Sequence, residues 1–392
     1  MAVNFSNSEP VVLIGGGFAG LTTALALSRD RPRCPIILVE PRPRFVFIPL
    51  LYELLSGEVR LWEIAPSLRN LIAGKGIIVI QEYVKKMDID RKLVITSSGK
   101  AIDYSQLVIA TGSKPDFLGI PGASDHALMF NQIEDVQILK DLISRLKNCS
   151  SEKKSLVIVG AGSAGVELAC KVADLVENQV KIHLIESAER VLPKGQSFNQ
   201  EQVELALKKR RVEIHLQTSV TAVTADSIHL KTMNEHALSS ITHSGLVWTA
   251  GVKPVLPLGM PPENLLLGRI SIDSSLRVNG SQDIFAIGDI AFNADNPWKP
   301  TAQVAIQQGE TAAKNIVAIR ERRPLEPFLF RDLGEMLSLG IGDATITGLG
   351  MTMSGPLAFQ LRRMAYLSKL PRLSLGIRSA SAWLIPDDKK SF

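Results

Sequence analysis

Three cysteines in 392 residues, at positions 34, 149 and 170, form no C-x-x-C or comparable pair. That spacing offers neither a zinc site nor a local redox disulfide, and no metal-binding set is indicated. Cys170 reads as a small buried apolar residue. Aromatic residues are only 5% of the chain. With no recognisable binding motif beside them, they argue against nucleic acid as the partner of the +5 net charge. No run is long and apolar enough to span a bilayer. The longest uncharged window near the C-terminus, residues 344–361, is broken by glycines, Pro356 and hydroxyl residues. Only ten residues precede the first apolar run, Glu9 among them. They suit neither a signal nor a transit peptide and point to an intracellular chain.

What the chain does have is two glycine-rich loops in matching settings. The first reads VVLIGGGFAG, with Gly15, Gly17 and Gly20, followed by an apolar run that ends on Glu40. The second reads LVIVGAGSAG, with Gly160, Gly162 and Gly165, followed by KIHLI and Glu186. In such a loop the first glycine allows the tight turn out of a strand. The second lets a pyrophosphate approach the backbone, and the third lets helix and strand pack closely. The helix N-terminus then offers unpaired N–H groups to phosphate. Glu40 and Glu186 stand 20 and 21 residues past the third glycine, where a carboxylate accepts bonds from ribose hydroxyls. One loop is weak evidence; two complete copies indicate two dinucleotides held at once, the arrangement of a hydride relay.

The rest of the chain follows from this repeat. LVIATGS (107–113) and LVWTAGV (246–252) close the two units alike. We expect an α/β protein with two Rossmann-like dinucleotide-binding domains, one inserted in the other, plus a C-terminal segment. The expected divisions are 1–120 and 251–330 for one nucleotide, 121–250 for the second, and 331–392 for the segment. In that segment, Gly355 to Leu384 holds five basic residues (Arg362, Arg363, Lys369, Arg372 and Arg378) and no acidic one. Pro371 divides it into two expected helices. Leu357, Leu361 and Met364 form an apolar stripe on the first, with Arg362 and Arg363 expected on the opposite side, as in a helix lying on anionic lipid. Packing on the body or at a dimer interface is the alternative.

The ordered set GGGFAG, ATGS, GAGSAGVE, WTAGV, IFAIGD and AQVAIQ resembles the type II NAD(P)H:quinone oxidoreductases. The segments 45–66 and 333–358 are similar to the family's cyanobacterial and plastid branch. The resemblance implies FAD at the first loop, NAD(P)H at the second, and a lipophilic quinone, demethylphylloquinone or plastoquinone, as acceptor. It implies cofactor contacts from Thr111, Gly112, Gly288, Asp289 and Ala302, with Asp289 on the ribityl chain; a turn or capping aspartate is the plainer role. It assigns Gln303 and Gln307, one helical turn apart, to the quinone site, against two solvated glutamines. It sets Glu167 near the nicotinamide as an orienting or proton-carrying carboxylate, against simple complementation of a helix dipole. Pro49 to Tyr52 would wall a quinone channel or pack in the core.

The family also implies a homodimer attached peripherally to the cytoplasmic side of a membrane, thylakoid or plasma. Glu186 disfavours a 2′-phosphate, whereas the branch is associated with NADPH, so both nicotinamides stay open. A ferredoxin or rubredoxin reductase and a non-turnover FAD/NAD sensor are the competing readings. The cysteine positions argue against a sulfide:quinone reductase.

Overall fold

The computed structural model describes residues 9–29, 34–149, 154–233 and 238–369. The chain forms two compact units, residues 1–45, 65–114 and 252–332, and residues 46–64, 115–251 and 333–392.

The first unit is built on a five-stranded parallel sheet. Its strands run in the order Ile284–Ala286, Gln106–Ile109, Val11–Ile14, Ile36–Val39, Ile77–Ile80. The runs VVLI, IILV and QLVI are buried at every position, as a parallel sheet covered on both faces requires. Each such side chain contributes roughly 1.5–3 kcal/mol on burial. The helices Phe18–Arg29 and Ala302–Arg320 pack tightly on each other: a Cβ on Gly309 would meet the Ala19 carbonyl at 2.7 Å. A three-stranded antiparallel sheet, Val84–Asp88, Leu93–Thr96 and Ala101–Asp103, completes this pattern.

The second unit repeats the plan. Its parallel sheet runs Glu213–His215, Lys181–Ile185, Ser155–Val159, Gly245–Trp248, Leu128–Met129. It too carries a three-stranded antiparallel sheet, Thr218–Val223, Ser227–Thr232 and Leu238–Thr242. The architectural echo in the sequence is therefore a strand-for-strand correspondence.

The C-terminal part of this unit is a second antiparallel sheet, Glu335–Ser338, Ala344–Gly348 and Met351–Ser354, with the helix Pro356–Lys369 on it. Ala344, Ala358 and Phe359 form their shared core. The apolar stripe of this helix is exposed as expected, but the opposite side meets protein rather than solvent. Arg362 is fully buried, while Leu357, Leu361 and Met364 are exposed. Burial of Arg362 follows from its two acidic partners, described below. The helix expected after Pro371 lies outside the described residues. Among the described residues, no helix is long and apolar enough to cross a membrane.

Candidate functional site

In the first unit, the strand Val11–Ile14 runs directly into the loop at Gly15, whose φ of +100° only glycine adopts without strain. A Cβ on Gly15 would lie 2.4 Å from the Ala110 carbonyl oxygen, and one on Gly20 would lie 1.9 Å from Gly15 O. Around Gly17 nothing lies within 4 Å of a Cβ position. Two glycines are thus imposed by packing, and the middle one leaves open space at the helix N-terminus, the fit a pyrophosphate requires.

Glu40 reaches back to this loop. Its Oε2 accepts the Gly16 N–H at 2.6 Å, and its Oε1 accepts from Arg42 N at 3.0 Å and Arg42 Nε at 2.8 Å. Burial disfavours its charge, but the Arg42 bonds and the backbone donors outweigh burial, and the carboxyl stays below its ordinary pKa.

The second unit reproduces the arrangement. Gly160 has φ +97°, and a Cβ on it would meet Ala250 at 3.0 Å. One on Gly165 would lie 1.7 Å from Gly160 O, and Gly162 is open. Glu186 Oε2 accepts the Ala161 N–H at 2.7 Å, the counterpart of Gly16 and Glu40, and Oε1 accepts from Ala188 N at 2.9 Å. Arg190, the nearby cation, donates to Gln200 Oε1 at 2.8 Å.

Other expected residues of the first unit gather near its loop. Thr111 Oγ1 donates to Val255 O at 2.6 Å, and Gly112 O accepts the Val255 N–H at 3.0 Å. Asp289 Oδ2 accepts from Ser113 Oγ at 2.6 Å. Gly288 has φ +74°, and its N–H donates to Gln308 Oε1 at 2.7 Å. Thr301 caps the following helix by accepting the Val304 N–H at 3.2 Å, with Ala302 as the first helical residue. Gln303 and Gln307 are half-buried. The Gln307 amide pairs reciprocally with the Arg331 backbone: Nε2 donates to O at 2.8 Å, and Oε1 accepts from N at 2.9 Å. Gln308, adjacent to the expected pair and buried, was not legible as a site residue. Its side chain lies one position off the Gln303–Gln307 face and is revealed only by the Gly288 contact.

Glu167 sits in the first turns of the Ser163–Val176 helix and is buried. Its Oε1 accepts the Ser338 N–H at 2.7 Å and Arg362 Nη2 at 3.0 Å. The same guanidinium binds Glu53 Oε1 through Nη1 and donates to Pro49 O at 3.0 Å. It also stacks on Tyr366, 4.7 Å from the ring centroid. Pro49 to Tyr52 therefore belong to the packed wall of this cluster, where Leu50, Leu51 and Tyr52 are buried. Two carboxylates share one cation in a dry setting, so one proton balances the charge. Burial, opposed by Arg362 and reinforced by Glu53, raises Glu167 to about 7. Beside it, Lys171 is fully buried and paired with Glu58, under the Phe359 ring. Glu53, Glu58 and Lys171 were missed in the sequence, and Arg362 was expected on the solvated side of its helix rather than in this cluster.

Residues 9–309 match the family model of the pyridine nucleotide-disulphide oxidoreductases. The chain is 35% identical over 388 residues to demethylphylloquinone reductase NdbB of Synechocystis sp., covering 95% of both chains. It is 34% identical over 417 residues to the alternative NAD(P)H-ubiquinone oxidoreductase C1 of Arabidopsis thaliana, covering 95% of this chain and 80% of that one. Its fold superposes on NDH2 of Plasmodium falciparum, solved in complex with NADH, with a TM-score of 0.86 at 18% identity, over 96% of this chain and 98% of the other.

Proposed function

Because the chain belongs to the pyridine nucleotide-disulphide oxidoreductase family, in its type II NAD(P)H:quinone oxidoreductase branch, we propose that it is an FAD-dependent enzyme transferring two electrons from NAD(P)H to a lipophilic quinone, with demethylphylloquinone as the preferred acceptor. The observation that carries this reading is the pair of loops with open middle glycines and returning glutamates. Flavin, when bound, supplies a two-electron relay between nicotinamide and quinone.

The chain's own residues bind, orient and supply protons. Gly15, Gly17 and Gly20 seat the FAD pyrophosphate at a helix N-terminus, with Glu40 for its ribose and Asp289 for the ribityl chain. Thr111, Gly112, Gly288 and Ala302 shape the rest of that pocket. Gly160, Gly162, Gly165 and Glu186 hold NAD(P)H in the same manner. Glu167 holds a proton near neutrality, which suits a reaction that delivers protons with electrons. Gln303 and Gln307 face the quinone, with Gln307 fixed by Arg331.

The quinone is lipid-borne, and an apolar surface suits that supply. Leu357, Leu361 and Met364 are exposed on the C-terminal helix, as are Leu349 and Met351 beside it. These residues dock on the cytoplasmic face of a membrane, peripherally and without spanning it. Pairing of two copies through the same C-terminal region belongs to this reading.

Steady-state kinetics with NADH and NADPH against naphthoquinone and benzoquinone acceptors tests the assignment. Turnover with quinone supports it; turnover with ferredoxin alone overturns it.

A further inference from the structure

A cluster outside the glycine loops forms at the edge of the second unit's parallel sheet, where His215 O accepts the Glu186 N–H at 2.9 Å. The outermost strand, Glu213–His215, pairs in parallel with Lys181–Ile185, in the register His183 to Glu213 and Ile185 to His215. With side chains alternating along each strand, residues 183, 213 and 215 fall on one face. Their ligand atoms all lie within 4.8 Å of one another. His183 Nδ1 is 3.0 Å from His215 Nε2 and 3.3 Å from Glu213 Oε2.

We propose that His183, Glu213 and His215 form a zinc-type divalent cation site that clips the edge strand to its neighbour. Zinc binds imidazole nitrogen and carboxylate oxygen at about 2.0–2.2 Å in tetrahedral geometry, which places neighbouring ligand atoms roughly 3.3 Å apart. The two separations from His183 Nδ1 are close to that spacing. Two imidazoles and a single carboxylate select a borderline metal over calcium or magnesium, which want oxygen shells.

The surroundings fit. Lys181 Nζ holds Glu213 by its other oxygen, Oε1, at 2.8 Å, which orients Oε2 toward the imidazoles. Its positive charge weakens the site and sets the affinity below that of a closed structural zinc site. His183 is buried, His215 half-buried and Glu213 exposed, so the cluster is reached from the solvent side of Glu213. His183 stands 30 positions before Glu213, and only the strand register brings it to Glu213 and His215.

The test uses tag-free holoenzyme stripped of metal. Calorimetric titration with Zn²⁺ should give one equivalent, a rise in melting temperature, and with Co²⁺ the visible bands of a tetrahedral site without sulfur charge transfer. His215→Ala and the exposed Glu213→Gln should each weaken binding by at least the roughly 10–100-fold typical of losing even an outer-shell partner. The His229→Ala control should leave binding unchanged. Absence of binding, undiminished binding in both variants, or thiolate bands pointing to the cysteines would overturn the site.

Discussion

Arg362 Nη2 lies 3.0 Å from Glu167 Oε1, with 0% and 8% of the two side chains exposed. The C-terminal helix is thereby tied to the helix that follows the second phosphate loop, within one unit. Replacing Arg362 by Met strands the Glu53 and Glu167 carboxylates in a dry setting. Breaking a buried pair in this way costs about 3–5 kcal/mol. Arg362→Met should therefore lower the denaturation midpoint sharply, whereas Arg322→Met at an exposed position should not.

Glu167 gives the protein a pH dependence of definite sign. Its pKa rises from 4.5 to about 7 on folding. Below 4.5 the carboxyl is protonated in both states. Between the two values only the folded chain holds the proton, so stability falls as pH rises and levels off above about 7. Glu167→Gln should flatten the melting profile across this window. The same variant should slow turnover and remove an ionisation near neutrality from its pH profile.

The middle glycines separate the two nucleotides experimentally. Gly17 and Gly162 have room for a Cβ in the folded chain, while Gly20 and Gly165 do not. Gly162→Ala should fold and keep its flavin but bind NAD(P)H at least about tenfold more weakly, a loss of ~1.4 kcal/mol. Gly17→Ala should fold and lose flavin. Gly20→Ala and Gly165→Ala should fail to yield folded protein, which expression and flavin absorbance would register.

Gln307 should matter to one half-reaction. Gln307→Leu removes an amide donor and frees Arg331, and should slow reoxidation by quinone by roughly 3–10-fold, the worth of one neutral hydrogen bond. Reduction by NAD(P)H should be little changed. Equal loss in both phases would remove Gln307 from the quinone site.

The proposed membrane contact of the exposed Leu357, Leu361 and Met364 can be tested without disturbing the buried cluster. Leu357→Ser, Leu361→Ser and Met364→Ser combined should release the protein from vesicles while preserving its melting temperature. Truncation at residue 355 is a poor test, because it also deletes Arg362.

Both phosphate loops were legible because they depend on backbone chemistry at fixed offsets. Close carbonyl contacts at Gly15, Gly20 and Gly165 admit no side chain, so the pattern survives in the sequence whatever packs around it. Glu40 and Glu186 were legible for the same reason. The Arg362 cluster was not. Helical spacing grouped Leu357, Leu361 and Met364 on one face, but periodicity does not say which face meets protein. The acidic partners at positions 53 and 167 are distant in sequence, and only folding makes burial the better outcome for Arg362. His183, Glu213 and His215 were hidden likewise, since strand pairing, not sequence spacing, brings them together.

Anaerobic double-mixing stopped-flow spectroscopy of the FAD-loaded protein tests the nicotinamide-to-quinone relay most directly. NADH or NADPH should bleach the flavin absorbance, and a naphthoquinone added in the second mix should restore it on the timescale of turnover. Protein that remains colourless after incubation with FAD, or reduced flavin that no quinone reoxidises, would contradict it.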